Sequence, residues 1–214
     1  MSKWYRVSAL ALLCLVVVAL VWHNASQGAV PKQDPHKPLT YSPNKPDESK
    51  PKVSAYQTAV SGSQPYLIDL PTIHAKGPIQ KVGVDQNNQI ATPGNVHVAG
   101  WFVQSVAPGD LGLSIIDGHV DGYTQPGIFE QLGHLKVGDT FTITAGSGQL
   151  KHFVVKTVKT VNVDLATDAL YSQLPGVSHQ LNLVTCGGTY DRTGKHYLSR
   201  VIVSAEYAPG SKHS

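Results

Sequence analysis

A thiol, an imidazole and a guanidinium in this chain each stand at the end of an apolar run. Cys186 closes Leu181-Asn182-Leu183-Val184-Thr185 and is followed by Gly187-Gly188. His119 follows Leu113-Ser114-Ile115-Ile116, in the turn Asp117-Gly118-His119-Val120-Asp121-Gly122. Arg200 opens Val201-Ile202-Val203. A free thiol titrates at about 8.5, so a cysteine nucleophile needs a cationic neighbour to raise its thiolate fraction. An imidazole can be that neighbour and can later protonate a leaving amine. A guanidinium stays charged at physiological pH, and its donors can hold a developing oxyanion. The set suits catalysis by a cysteine nucleophile. Taken singly, each residue also has a plain reading: a core thiol, a solvated turn histidine among 10 in the chain, and a surface arginine. The only other cysteine, Cys14, lies in an apolar N-terminal run. Beyond that run Cys186 is the sole thiol, so no internal disulfide can form there.

Strand ends on a rigid scaffold could bring the three groups to one rim. The alternating and β-branched runs predict short strands at Tyr66–Leu70, Lys81–Asp85, Asn95–Phe102, Leu113–Ile116, Thr140–Thr144, Lys151–Val163, Leu181–Thr185 and Tyr197–Tyr207. Pro126–Leu135 and Asp164–Leu174 suit one or two short helical turns. With 20 Gly, 14 Pro and 14% charged residues, the chain reads as a loop-rich all-β protein. A closed β-barrel or a sandwich of about eight strands over residues 65–208 is the expectation. That length suffices for one core.

The N-terminus differs in texture. Val7–Trp22 is almost wholly apolar, preceded by Lys3 and Arg6 and flanked by Trp4, Tyr5 and Trp22. A spanning helix needs about 17 or more apolar residues, so residues 1–23 read as a signal anchor, with a cleaved signal peptide as the alternative. Positive residues ahead of the run place the rest of the chain outside the cell. Residues 24–64 carry Pro31, Pro35, Pro38, Pro43, Pro46 and Pro51 among polar residues and read as a disordered, extended spacer. Residues 209–214 form a short C-terminal tail. The net charge of +3 is mild and no Lys/Arg-rich run occurs, which argues against a nucleic-acid partner.

Several of these segments resemble the sortase family, the membrane-anchored cysteine transpeptidases of Gram-positive bacteria. Leu183-Val184-Thr185-Cys186 is similar to the family's Leu-x-Thr-Cys signature, Gly118-His119 to its histidine motif, and Arg200-Val201-Ile202-Val203 to the arginine-led final strand. Ile128 to Asp139 resembles the Phe-x-x-Leu-x-x-Leu-x-x-Gly-Asp segment. Cys186-Gly187-Gly188 and Gly118-His119-Val120-Asp121 look most like class F. The chain departs from class F in placing Leu198 after His196-Tyr197, where an arginine is frequent. That leaves Arg192, in the polar turn Asp191-Arg192-Thr193-Gly194, as a competitor for the arginine role.

The resemblance implies a closed sortase-type barrel behind a single transmembrane helix, with the catalytic domain extracellular. It implies that Cys186 attacks the Thr–Gly carbonyl of a Leu-Pro-x-Thr-Gly-like sorting signal on surface proteins, that His119 protonates the departing amine and that Arg200 stabilises the oxyanion. An amine acceptor such as a cell-wall precursor, or water, then takes the acyl group. The loop carrying Leu165, Ala169, Leu170, Tyr171, Leu174 and Pro175 is a candidate wall for the Leu-Pro part, with ordinary loop packing as the alternative. No cofactor is expected. Glu130, Asp164 and Asp168 are too sparse for a calcium site, and the histidines show no zinc-like spacing with cysteine. The competing reading is a catalytically silent, membrane-tethered β-barrel that only binds.

Overall fold

Side chains on a strand alternate between its two faces, and here both faces of the central strands are apolar. The reason is visible in the computed structural model, which describes residues 46–86, 89–194 and 196–210. Eight strands close into a barrel: β1 (Pro65–Leu70), β2 (Ala75–Val82), β3 (Ala99–Phe102), β4 (Gly112–Gly118), β5 (Thr140–Ala145), β6 (Leu150–Asn162), β7 (His179–Asp191) and β8 (His196–Tyr207). Around the barrel the order is β1-β2-β3-β4-β7-β8-β6-β5. The β2–β3 and β4–β7 pairs are parallel and the others antiparallel. Closure removes every sheet edge.

One face of each strand fills the barrel. Ile116, Leu183, Val203, Phe141 and Phe153 belong to that interior cluster. The Phe141 and Phe153 rings stack with centroids 5.4 Å apart, and Tyr207 tilts against Phe153 at 5.7 Å. Phe153 is fully buried. Phe153→Ala is expected to destabilise the fold by about 3–5 kcal/mol, read as a fall in denaturation midpoint with an unchanged denaturant slope.

The other face of β4, β7 and β8 is covered as well. Ile115, Val184 and Ile202 pack with Val82 and Phe102 and with Leu170 of α2 (Ala166–Tyr171). Two buried amides hold this helix to the sheet. Asn182 Nδ2 donates to the Leu170 carbonyl at 2.6 Å, and Gln180 Nε2 donates to the Ser172 carbonyl at 2.9 Å. They satisfy carbonyls that the end of the helix leaves without intrahelical donors.

The element boundaries differ most from the sequence reading in four places. The strand expected at Lys81–Asp85 is β2, which already starts at Ala75 and ends at Val82. Pro78 pairs with Leu67 of β1, and pairing with β3 starts only at Ile79, so its missing N–H costs the parallel ladder nothing. The strand expected at Asn95 starts at Ala99. The helical turn expected over Pro126–Leu135 is a single 3-10 turn, Leu132–His134. The barrel strand carrying Cys186 does not end at the cysteine but runs on to Asp191.

The expected spacer, residues 24–64, is corrected in its second half. A short helix α1 (Val53–Gln57) forms there, and Ala55, Tyr56, Ala59 and Val60 line a cleft with Ile79, Gln80 and Lys81 of β2. Asp47 bridges to Asn95. The rest of the spacer, the apolar run Val7–Trp22 and the end of the tail lie outside the described residues. Among the described residues no helix is long and apolar enough to cross a membrane.

Candidate active site

The thiol and the guanidinium face each other across one antiparallel pair. Cys186 of β7 is the register partner of Arg200 of β8. Strand alternation puts Val184 and Cys186 on one face and Arg200 and Ile202 on the same side, so both polar groups continue the outer apolar surface. Ile115 belongs to that surface too, so Asp117 and His119 follow it from β4. The parallel register runs from Gly112↔His179 to Asp117↔Val184, and continuing it by two residues brings His119 beside Cys186. A further bond ties these segments together: Thr185 Oγ1 donates to the Gly118 carbonyl at 2.7 Å. His119, Cys186 and Arg200 therefore come together at one end of the β4–β7–β8 face. Arg192 sits exposed in the β7–β8 turn, and Cys186 is paired with Arg200 instead.

Arg200 is buried. Its Nη1 donates to the Ser199 and Tyr197 carbonyls at 2.8 and 3.1 Å, which fixes the guanidinium on its own strand. It lies well inside β8 rather than opening it. Just beyond Cys186, the β7–β8 register shifts between Gly187 and Tyr190. Gly188 takes a φ of +73° at this bulge, a conformation that favours glycine. The bulge separates the thiol's register from that of the outer hairpin.

His119 is held from several directions. Its Nε2 lies 2.6 Å from the Pro93 carbonyl. A carbonyl can only accept, so Nε2 carries hydrogen in this contact. Phe129 N–H donates to the His119 carbonyl at 2.9 Å, and Gly127 N–H to the Val120 carbonyl at 3.0 Å. A Cβ at Gly127 would collide with the His119 carbonyl, so this close approach requires glycine.

The clamp on His119 is built partly by the residues just before α1. Asp47 N–H donates to Gly94 O at 2.7 Å and Val96 N–H to Asp47 O at 2.9 Å, which secures the segment that presents the Pro93 carbonyl. The Glu48 carboxylate accepts from Tyr123 N–H, from Thr124 N–H at 2.9 Å and from the Thr124 hydroxyl at 2.5 Å. These bonds, from the Thr124 hydroxyl first, hold the Glu48 carboxyl below its ordinary range. Asp47 and Glu48 thus brace the loops on both sides of His119. The sequence reading had placed them in a disordered spacer.

Electrostatics keep the resting thiol protonated. Burial pushes the Cys186 thiol up to about 12; Arg200 pulls it down, and Asp117 and Asp121 push it up. Asp117 itself is raised by desolvation, against the pull of His119 and Arg200. It escaped the sequence reading, although it lies two residues before His119 and so shares its face by strand period alone. Because the folded state holds the thiol proton up to a higher pH than the unfolded chain does, this group's contribution to stability falls as pH rises above about 8.5. Alkylation of Cys186 by iodoacetamide in the native protein is expected to be still accelerating at about pH 10, where an ordinary thiol has levelled off. A plateau near pH 8.5 would contradict this electrostatic picture.

Of the loop residues proposed as a wall, Leu170, Ala169 and Tyr171 pack against the outer apolar cluster. Leu165 is 62% exposed and Pro175 is also exposed. Among the described residues, no group of three or more metal-ligating side chains gathers in one place.

Comparison with known proteins agrees with this fold. The family model for the sortase domain matches residues 68–208. Among solved structures, sortase A from Corynebacterium diphtheriae aligns at 24% identity with a TM-score of 0.55, over 95% of this chain and 87% of that one. Sortase C-1 from Actinomyces oris aligns at 21% identity and a TM-score of 0.53, over 90% of this chain and 95% of that one. Sortase C1 from Streptococcus agalactiae shares 25% identity at a TM-score of 0.51, over 68% of each chain. A search of curated proteins returns no significant match. The domain match spans most of the chain and the eight-stranded barrel is shared with these structures, so this chain belongs to the sortase family of cysteine transpeptidases.

Proposed function

We propose that the protein cleaves a Leu-Pro-x-Thr-Gly-like sorting signal at its Thr–Gly bond and transfers the acyl group to an amine on the cell surface, or to water. The observation that carries this reading is the direct register pairing of Cys186 with Arg200, with His119 at the end of the neighbouring strand. Cys186 gives its proton to His119, and its sulfur attacks the threonine carbonyl carbon. The oxyanion forms beside the Arg200 guanidinium, whose plane is already fixed by its bonds to β8. His119 returns the proton to the departing glycine nitrogen, the C–N bond breaks, and a thioester remains on Cys186. An amine or water then attacks the thioester carbonyl and releases the thiol.

The apolar run Val7–Trp22 anchors the chain in the cell membrane, with residues after Trp22 outside. Its partners are sorting-signal peptides of surface proteins and a cell-wall amine. Cys186-Gly187-Gly188 and Gly118-His119-Val120-Asp121 favour class F within the family. The test is incubation of the full-length protein with a quenched Leu-Pro-x-Thr-Gly peptide and hydroxylamine. Cleavage with formation of the threonine hydroxamate is expected. A protein that leaves the peptide intact, and whose Cys186 reacts with thiol probes only after denaturation, would instead be a silent binding barrel.

A further inference from the structure

Beyond Cys186 the outer β7–β8 hairpin and the loop after His119 enclose a second cavity of about 380 Å³, lined by Asp121, Gly122, Tyr123, Tyr190 and Tyr197. It adjoins all three groups of the site along the chain. Asp121 lies two residues after His119, Tyr190 four after Cys186, and Tyr197 three before Arg200. It is also electrostatically close to the thiol, because Asp121 acts on Cys186 and Cys186 on Tyr197. Tyr190 and Tyr197 are register partners just past the bulge, with rings edge to face and centroids 5.1 Å apart. The Tyr197 hydroxyl donates to the Asp121 carboxylate. Tyr123 and Tyr190 are 67% and 43% exposed, large aromatic surface left to solvent.

Among the described residues Asp121 is the only charged one lining this cavity, and Tyr123, Tyr190 and Tyr197 supply its aromatic lining. A carboxylate has about four acceptor positions, so the Tyr197 hydroxyl leaves it able to take another donor. Aromatic faces carry negative potential and attract organic cations. An ammonium group satisfies both, whereas an anionic group would be repelled by Asp121.

Building on the transpeptidase reading, we propose that this carboxylate–tyrosine cavity is the docking site for the acceptor, which it recognises as a primary ammonium. The docked ammonium gives one proton to solvent, and its nitrogen lone pair attacks the thioester carbonyl. The C–S bond breaks, and the Cys186 sulfur leaves and takes the surplus nitrogen proton through His119. Glu48 braces the wall that carries Tyr123, and a Cβ at Gly122 would collide with the Glu48 carboxylate. The cavity is therefore shaped before the acceptor arrives.

The test compares two acceptors on the full-length protein with the quenched peptide as donor: glycinamide, largely an ammonium at neutral pH, and hydroxylamine, largely uncharged there. Asp121→Asn is expected to raise the KM for glycinamide about tenfold and to leave the KM for hydroxylamine in place. Tyr190→Ala, at an exposed position, is expected to raise the glycinamide KM about threefold. If Asp121→Asn fails to fold, the Tyr190→Ala result alone decides. Unchanged glycinamide KM values, or equal effects on both acceptors, would overturn the proposal. A raised KM for the donor peptide instead would assign the cavity to the peptide's glycine side and overturn it as well. Failure of the wild type to cleave any peptide overturns the transpeptidase reading itself, an outcome distinct from cleavage with unaltered acceptor dependence.

Discussion

Replacing Cys186 by alanine is expected to lower peptide cleavage by at least about 10³-fold and to leave the barrel folded. In the proposed mechanism the Cys186 sulfur carries the acyl group, so no neighbour can substitute for it. Cys186 is partly exposed at the edge of the outer apolar cluster, and truncation to alanine removes one sulfur without opening a cavity in the barrel interior. The melting temperature should therefore stay near that of the wild type. Serine should be almost as inactive. Its hydroxyl ionises far less readily than a thiol, and the same burial that raises the thiol would act on it. A Cys186→Ala protein that still turned over peptide would place the chemistry elsewhere.

Arg200 supplies the second large effect. Arg200→Ala is expected to lower kcat by about 10²–10³, the range for losing one preorganised oxyanion donor, with a smaller change in KM. The substitution also removes the positive charge that pulls the Cys186 thiol down. Alkylation of Cys186 at a fixed pH should slow accordingly. The part-buried Tyr197 and Ser199 carbonyls lose their guanidinium donor, so a small loss of stability accompanies the loss of rate. Arg200→Lys keeps the charge but not the planar fork. It should preserve much of the thiol's reactivity toward iodoacetamide while recovering little turnover. That split separates oxyanion stabilisation from thiol tuning. Arg192→Ala, in the exposed turn, should change neither.

The sequence made the barrel strands legible where one face was apolar and the run was bounded by glycine or proline. Leu113–Ile116 and Thr140–Thr144 fall inside observed strands for this reason. It placed the start of β2 too late, at Lys81, because Gly77 and Pro78 disfavour a strand locally, while the structure pairs both with β1. It also misled after Cys186. Gly187-Gly188 reads as a strand end, but the glycines serve a bulge within a continuing hairpin. That mistake hid the Tyr190–Tyr197 pair and the cavity it lines. Asp47 and Glu48 were invisible for another reason. Their partners lie at Gly94–Val96 and Tyr123–Thr124, and nothing in the composition of a proline-rich segment signals bonds to loops so distant in sequence. The chemistry-bearing triad was easier to read, since each member sits against an apolar strand whose period points it to a face. The choice between Arg200 and Arg192 needed the β7–β8 register, which no local pattern encodes.

The central claim is a thioester on Cys186, and intact-mass measurement of the full-length protein tests it most directly. After brief mixing with a Leu-Pro-x-Thr-Gly peptide, the protein should gain the mass of the fragment ending in threonine. The adduct should map to Cys186, disappear with hydroxylamine and be absent from Cys186→Ala. Peptide cleavage without a hydroxylamine-labile adduct, or an adduct that persists in Cys186→Ala, would contradict it.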